Sequence, residues 1–145
     1  MTLTMQASRA VAALGVIARW LDTPLRPSLA LRLRAYARAL DQVARDVVAE
    51  EERILREHGA LEDDKGFVPQ TGPDGRPLEG TWIIDDPEER EACRAALAEL
   101  RTSEVTVRID AGRITPEELE AAGLTLSPRE ADLLADLLTT EGQNG

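Results

Sequence analysis

The groups that could do chemistry in this 145-residue chain are few: one cysteine, Cys93, one histidine, His58, and scattered hydroxyls. A nucleophilic thiol needs a base or a cationic neighbour to reach its thiolate. Cys93 instead shares helical spacing with Ala96, Leu97 and Leu100, the pattern of a small buried apolar residue. Ser8, Thr115 and Ser127 each stand where a helix begins, so their hydroxyls read as caps. No nucleophile elbow, phosphate-binding glycine loop, paired Cys or His ligands, or internal repeat occurs. Carboxylate pairs are abundant, but among 27 acidic residues such pairs carry little specificity. Glu62-Asp63-Asp64 lacks the alternating Asp spacing and the twelfth-position Glu of a calcium loop. No catalytic, metal-ligating or cofactor-binding residue is assigned, and neither an enzyme activity nor a metal or cofactor is expected.

Charge is the stronger signal. Net charge is −10, but through residue 45 seven Arg face only Asp22 and Asp41, and the excess acid lies in the remainder. Sixteen of the 17 basic residues are Arg and one, Lys65, is Lys, and the uneven spread of charge makes the chain a dipole. Arg34, Arg38 and Arg45 fall on one helical stripe, with Asp41 placed to pair with Arg45 four residues on. This stripe, with Glu50 and Glu51 at the acidic end of the same helix, supplies the candidates for contact with a partner: Arg34, Arg38, Arg45, Glu50 and Glu51.

That helix organises the chain. Residues 28–58 contain neither Pro nor Gly, and Leu29, Leu33, Tyr36, Leu40, Val43, Val47 and Ile54 recur at alternating steps of four and three. A helix over this run is roughly 46 Å long. Its seam is filled either by the rest of the chain, the expected case, or by a second copy in a homodimer. Gly59 ends it. Ahead of it, Thr2 to Met5 alternates as a short edge strand, Ser8 opens a helix to about Leu21 with Val11, Leu14, Ile17, Ala18 and Leu21 inward, and Pro24 and Pro27 mark the turn of a helical hairpin.

From Gly59 to Gly80 five Gly and three Pro forbid a helix. Phe67-Val68 and Trp82-Ile83-Ile84 read as the arms of a small hairpin turning at Pro73-Asp74-Gly75. Asp86-Pro87-Glu88-Glu89 then opens a helix to about Arg101, and Glu104 to Asp110 alternates as the clearest strand, with the hairpin and the N-terminal strand as its expected neighbours. Thr115-Pro116-Glu117-Glu118 and Ser127-Pro128-Arg129-Glu130 start two short helices, the last carrying Leu133, Leu134, Leu137 and Leu138. The expected fold is α+β and mainly α: an N-terminal helical hairpin with one long helix, a small antiparallel sheet, and two or three further short helices. It forms a single domain over 1–140, divided as helical hairpin 8–58, β excursion 59–85 and helix, strand and helices 86–140, with 141–145 as a disordered tail. The only strongly apolar run, residues 10–18, is bracketed by Arg9 and Arg19 and is too short to span a membrane.

This order of elements, with Glu104-Val105-Thr106-Val107-Arg108-Ile109 and then Leu124-Thr125-Leu126-Ser127-Pro128-Arg129-Glu130 leading into a Leu-rich helix, resembles small tailed-bacteriophage proteins of the domain-of-unknown-function family 1617. The segment from Pro69 to Gly80 and the polar end from Glu141 depart from that pattern. The resemblance implies an origin in a phage or prophage and a role in the virion, its assembly or the host cell, and it assigns no site residues. The function expected is a non-enzymatic accessory protein acting through protein contacts in the host cytoplasm, with virion association as a second location. The alternative is an acidic inhibitor of a host nucleic-acid enzyme, a DNA mimic or polymerase binder, presenting Glu50, Glu51, Glu52, Asp85, Asp86, Glu88 and Glu89 as a phosphate-like surface. Direct binding to nucleic acid is not expected, because overall charge is strongly negative and no aromatics interleave the Arg residues.

Overall fold

A computed structural model of the chain describes residues 1–138. It is mainly helical, with an N-terminal helical pair, two two-stranded antiparallel ladders and several short helices. The elements are β1 (Thr2–Gln6), α1 (Ala7–Leu21), α2 (Pro27–Glu57), β2 (Glu62–Asp63), β3 (Gly66–Phe67), α3 (Pro87–Thr102), β4 (Glu104–Arg108), α4 (Pro116–Ala121) and α5 (Pro128–Leu134). Contacts gather into two compact units, one formed by Met1–Val47 with the chain from Thr102 onward, the other by Val48–Arg101. The tail expected at 141–145 lies outside the described residues.

In the first unit β1 pairs with β4 in the register Leu3↔Val107 and Met5↔Val105. Alternation puts Met5, Val107 and Ile109 into the core, as the sequence pattern predicts. Among the described residues each of these strands has only the other as a ladder partner, which corrects the expectation that β4 also pairs with a 67–84 hairpin. Strand length explains the error. Five alternating residues specify a buried face but not which edge is covered.

The α1 helix also departs from expectation. Its N-cap is Gln6, which makes no side-chain cap bond, and Ser8 is exposed inside the first turn. The strand runs straight into the helix, and the Ala7 N–H is satisfied by the Ser103 carbonyl at 2.9 Å, so no hydroxyl is required there. The buried face is Ala7, Ala10, Ala13, Val16, Ile17 and Trp20; of the predicted face Ile17 is buried and Leu14 and Leu21 pack at its margin, while Val11 and Ala18 lie outside. Small Ala side chains permit close approach to the core, and Trp20 supplies the bulk.

Leu29, Leu33, Tyr36 and Leu40 of α2 join that core, each no more than 1 % exposed in the isolated chain. The seam is therefore closed in this unit by the chain itself, together with Ile114, Leu119, Leu124, Leu134 and Leu137. The α4 and α5 helices begin with complete capping boxes, Thr115 with Glu118 and Ser127 with Glu130, in agreement with the sequence. The last helix is shorter than its Leu spacing implies, ending at Leu134, while Leu137 is still buried beyond it.

Arg32 ties α2 to the α4 cap. Its Nη1 and Nη2 donate to the Glu118 carboxylate at 2.9 and 3.0 Å, a bidentate pair. The Arg32 guanidinium, aided by the Thr115 N–H, holds the Glu118 carboxyl below the usual carboxylate range. Because the folded value is lowered, the stabilisation is present at neutral pH and is lost as pH falls below about 4.5. Glu118→Gln is expected to cost about 1–2 kcal/mol at pH 7. In urea melts followed from pH 7 to pH 3 the gap between variant and parent should close through the acid window; a gap independent of pH would refute the assignment.

In the second unit the β excursion is built from turns. β2 and β3 form a two-residue ladder, Glu62↔Phe67 and Asp63↔Gly66, closed by an Asp63 Oδ1 that accepts the Lys65 N–H at 2.8 Å. The partner of Phe67 is thus Glu62, and 82–84 is not a strand, contrary to the expected hairpin. Pro69 has no N–H to continue a ladder. Single bonds do the joining instead, Leu61 N–H to the Ile83 carbonyl at 2.9 Å and Ile83 N–H to the Val68 carbonyl at 3.3 Å. Asp86 caps α3 by accepting the Glu88 N–H at 2.9 Å. The core is Ile54, Leu55, Ile84, Cys93 and Leu97, flanked by Phe67 and Trp82 in edge-to-face contact with centroids 6.2 Å apart. The α2 helix stops at Gly59, whose φ of 77° only glycine adopts without strain, and the Ala60 N–H closes the end on the Leu55 carbonyl.

Candidate partner-contact site

The residues singled out from the sequence divide between the units. Arg34 and Arg38 are exposed on α2 in the first unit with no ion-pair partner among the described residues, and Arg45 pairs with Asp41 at 2.9 Å as its spacing predicts. Glu50 belongs to the second unit, where it accepts from Arg53 Nε at 2.9 Å, and this hydrogen bond lowers its pKa. Glu51 lines a surface cavity of that unit. The acids proposed as a phosphate-like surface are partly engaged: Asp86 in capping, Glu89 with His58 Nδ1 at 2.6 Å, Glu52 with Arg56 at 3.9 Å.

Two cavities flank Trp82 within the second unit. The larger, about 340 Å³, has Val48, Leu55, Phe67 and Trp82 as its apolar side and Glu51, Glu62, Arg56 and Lys65 around it. Arg56 lies over the Phe67 ring at 5.3 Å, a cation–π contact, and donates to Glu62 at 3.1 Å. The smaller, about 150 Å³, has Cys93, Leu97, Ile84 and Trp82 as its floor. Its rim carries Arg90, Arg94 and Arg101, with Gln70 and Thr81 from the β excursion.

Helical spacing explains the rim. Arg90, Arg94, Leu97 and Arg101 follow one another on a single face of α3, so one stripe presents cations and apolar floor together. Arg90 is held in place, donating from Nε and Nη2 to the Ile84 carbonyl at 3.1 and 2.9 Å. Arg94 meets Glu91 at 3.3 Å in an exposed pair, and Arg101 has no ion-pair partner among the described residues. None of these three stands out in the sequence, although their spacing on a capped helix is visible there, because the acids around them dominate the charge beyond residue 45.

Cys93 is 1 % exposed, and burial first and the Glu89 carboxylate second push its thiol pKa up. The group stays a neutral thiol in the cavity floor. Trp82 supplies the one buried side-chain polar atom without a hydrogen-bond partner among the described residues, its indole Nε1. Also in this unit, Val48, Leu61 and Leu78 are large apolar residues left exposed. Among the described residues there is no group of three or more His, Cys, Asp or Glu that could hold a metal ion, and no helix long and apolar enough to cross a membrane.

No protein-family model, no curated protein and no solved structure matches the chain.

Proposed function

We propose that this chain is a non-enzymatic bacteriophage accessory protein that works by protein contacts made with its 48–101 unit, in virion assembly or in the host cell. The phage origin rests on the order of elements and the segments quoted above. The contact reading rests on one observation: a cation-rimmed, apolar-floored cavity in a unit that also leaves Val48, Leu61 and Leu78 exposed. Acidic inhibition of a nucleic-acid enzyme draws less support, because Glu50, Asp86 and Glu89 are engaged within the chain.

Affinity co-purification from the cells that produce the protein tests this reading. A stoichiometric protein partner is expected, held by the Arg34→Glu variant and lost when Val48→Arg is combined with Leu78→Arg. Recovery of no partner, or of one indifferent to all these changes, would overturn it.

A further inference from the structure

We propose that the smaller cavity of the 48–101 unit is the docking point for an acidic segment of a protein partner, in which one apolar side chain enters the cavity and flanking carboxylates meet Arg94 and Arg101. This deepens the protein-contact reading above and rests on it. Size sets the occupant: about 150 Å³ matches a cavity that admits a single benzene-sized group and falls below the roughly 300–1,000 Å³ of sites that enclose a free small molecule. One side chain fills it. The floor of Cys93, Leu97 and Ile84 is apolar and favours a ring or branched alkyl group.

Charge sets the flanks. In a chain of net charge −10, three Arg surround this one opening. Arg90 is fixed on the Ile84 carbonyl, which positions its charge without neutralising it. Arg101 has no ion-pair partner among the described residues, and the exposed Arg94–Glu91 pair is of the weak class that a competing carboxylate displaces. A polyphosphate backbone would meet the repulsion of the whole chain, whereas a short acidic peptide engages only the rim. Trp82 forms part of the wall of this cavity and of the neighbouring one, so its indole senses what enters either.

The probe is the blocked peptide Asp-Glu-Phe-Glu-Asp, titrated calorimetrically into the full chain. It is compared with the neutral Asn-Gln-Phe-Gln-Asn, the anchorless Asp-Glu-Ser-Glu-Asp, and phenylacetate. In a Trp20→Phe background Trp82 is the sole tryptophan, and its emission reports binding beside it, which the Arg94 and Arg101 changes below assign to the smaller cavity; if that variant fails to fold, calorimetry on the unaltered chain carries the same comparison. The acidic Phe peptide is expected to bind at least about tenfold tighter than each control. The double change Arg94→Glu with Arg101→Glu should remove about tenfold or more of that affinity, while Arg34→Glu leaves it unchanged. Equal binding of the neutral peptide, indifference to the double change, or no binding at millimolar peptide would overturn the proposal. So would phenylacetate binding as tightly as the peptide, which would make the ligand a free small acid. A dimer seen by light scattering and lost in the double variant would do the same by making the occupant a second copy. A cellular partner retained equally by the parent and the double variant would sink this docking point while leaving the protein-contact reading intact.

Discussion

Tyr36→Ala is expected to lower the stability of the chain by about 4 kcal/mol, whereas Tyr36→Phe should cost no more than about 1.5 kcal/mol. Tyr36 is the bulkiest of the fully buried side chains, 1 % exposed in the N-terminal third of α2. Its ring packs in the cluster that holds Leu33, Leu40, Ile109 and Ile114, so truncation removes the transfer free energy of the ring and leaves a cavity that rigid neighbours fill only in part. The hydroxyl contributes less than the ring, since its contacts are the Gly112 carbonyl at 3.5 Å and a backbone hydrogen bond at Ile114. Burial is also the chief cause that pushes its pKa above 10.0, so the phenol remains neutral throughout the range in which the protein is handled. Urea melts should show a lowered midpoint at unchanged slope. The midpoint should not move with protein concentration, because this part of the seam is closed within one chain; a concentration-dependent midpoint would mark a seam shared between copies. A loss below about 1 kcal/mol for Tyr36→Ala would show that the seam is not packed core.

Leu97→Ala is the counterpart in the second unit, expected to cost about 3 kcal/mol. Leu97 is buried with Ile54, Leu55, Ile84 and Cys93, and it also forms part of the cavity floor, so the space vacated adds to an opening already present. Thermal and urea melts measure the loss. The control lies one turn further along the same helix: Arg101→Glu, at an exposed rim position in the last turn of α3, should cost no more than about 1 kcal/mol, the scale of its interaction with the helix C-terminus. If Arg101→Glu cost as much as Leu97→Ala, the rim would be structural and not available for contact.

Legibility of the fold followed the length and redundancy of each signal. The α2 seam repeats over many turns, and the Leu29 to Leu40 stretch is buried as its spacing requires. The capping boxes at Thr115 and Ser127 pair a short hydroxyl with a glutamate three residues on, a local device indifferent to tertiary context, and both form. Ser8 failed for the complementary reason. A carbonyl from Ser103, distant in sequence, takes the first N–H of α1, and nothing near Ser8 announces it. The α1 face holds at Ile17, with Leu14 and Leu21 at its margin, but Val11 and Ala18 lie outside it, because Ala residues on every side leave hydropathy unable to fix the orientation until Trp20 is seen to be buried. In the β excursion, runs of two or three apolar residues name no partner, and the chain is held by turn chemistry at Asp63 and Asp74 more than by ladders.

The candidate site was less legible than the fold. Arg34, Arg38 and Arg45 drew attention because they cluster in a stretch nearly free of acid. Arg90, Arg94 and Arg101 stand among Glu88, Glu89, Glu91 and Glu99, and in linear order their charges cancel. Only the helix separates them, by turning the three cations toward the cavity with Leu97. Cys93 illustrates the other limit. Its spacing identified a buried residue correctly, but that the burial forms the floor of an opening depends on Thr81, Trp82 and Ile84 arriving from another segment.

Site-specific photo-crosslinking in the cells that produce the protein tests the claim of contact through the 48–101 unit most directly. A photoreactive residue is placed at Ala98, exposed on α3 between Arg94 and Arg101, and in a parallel sample at Ala12, exposed on α1. One discrete adduct with another protein is expected from position 98 and none from position 12. Adducts from position 12 alone, or none from either, would contradict it.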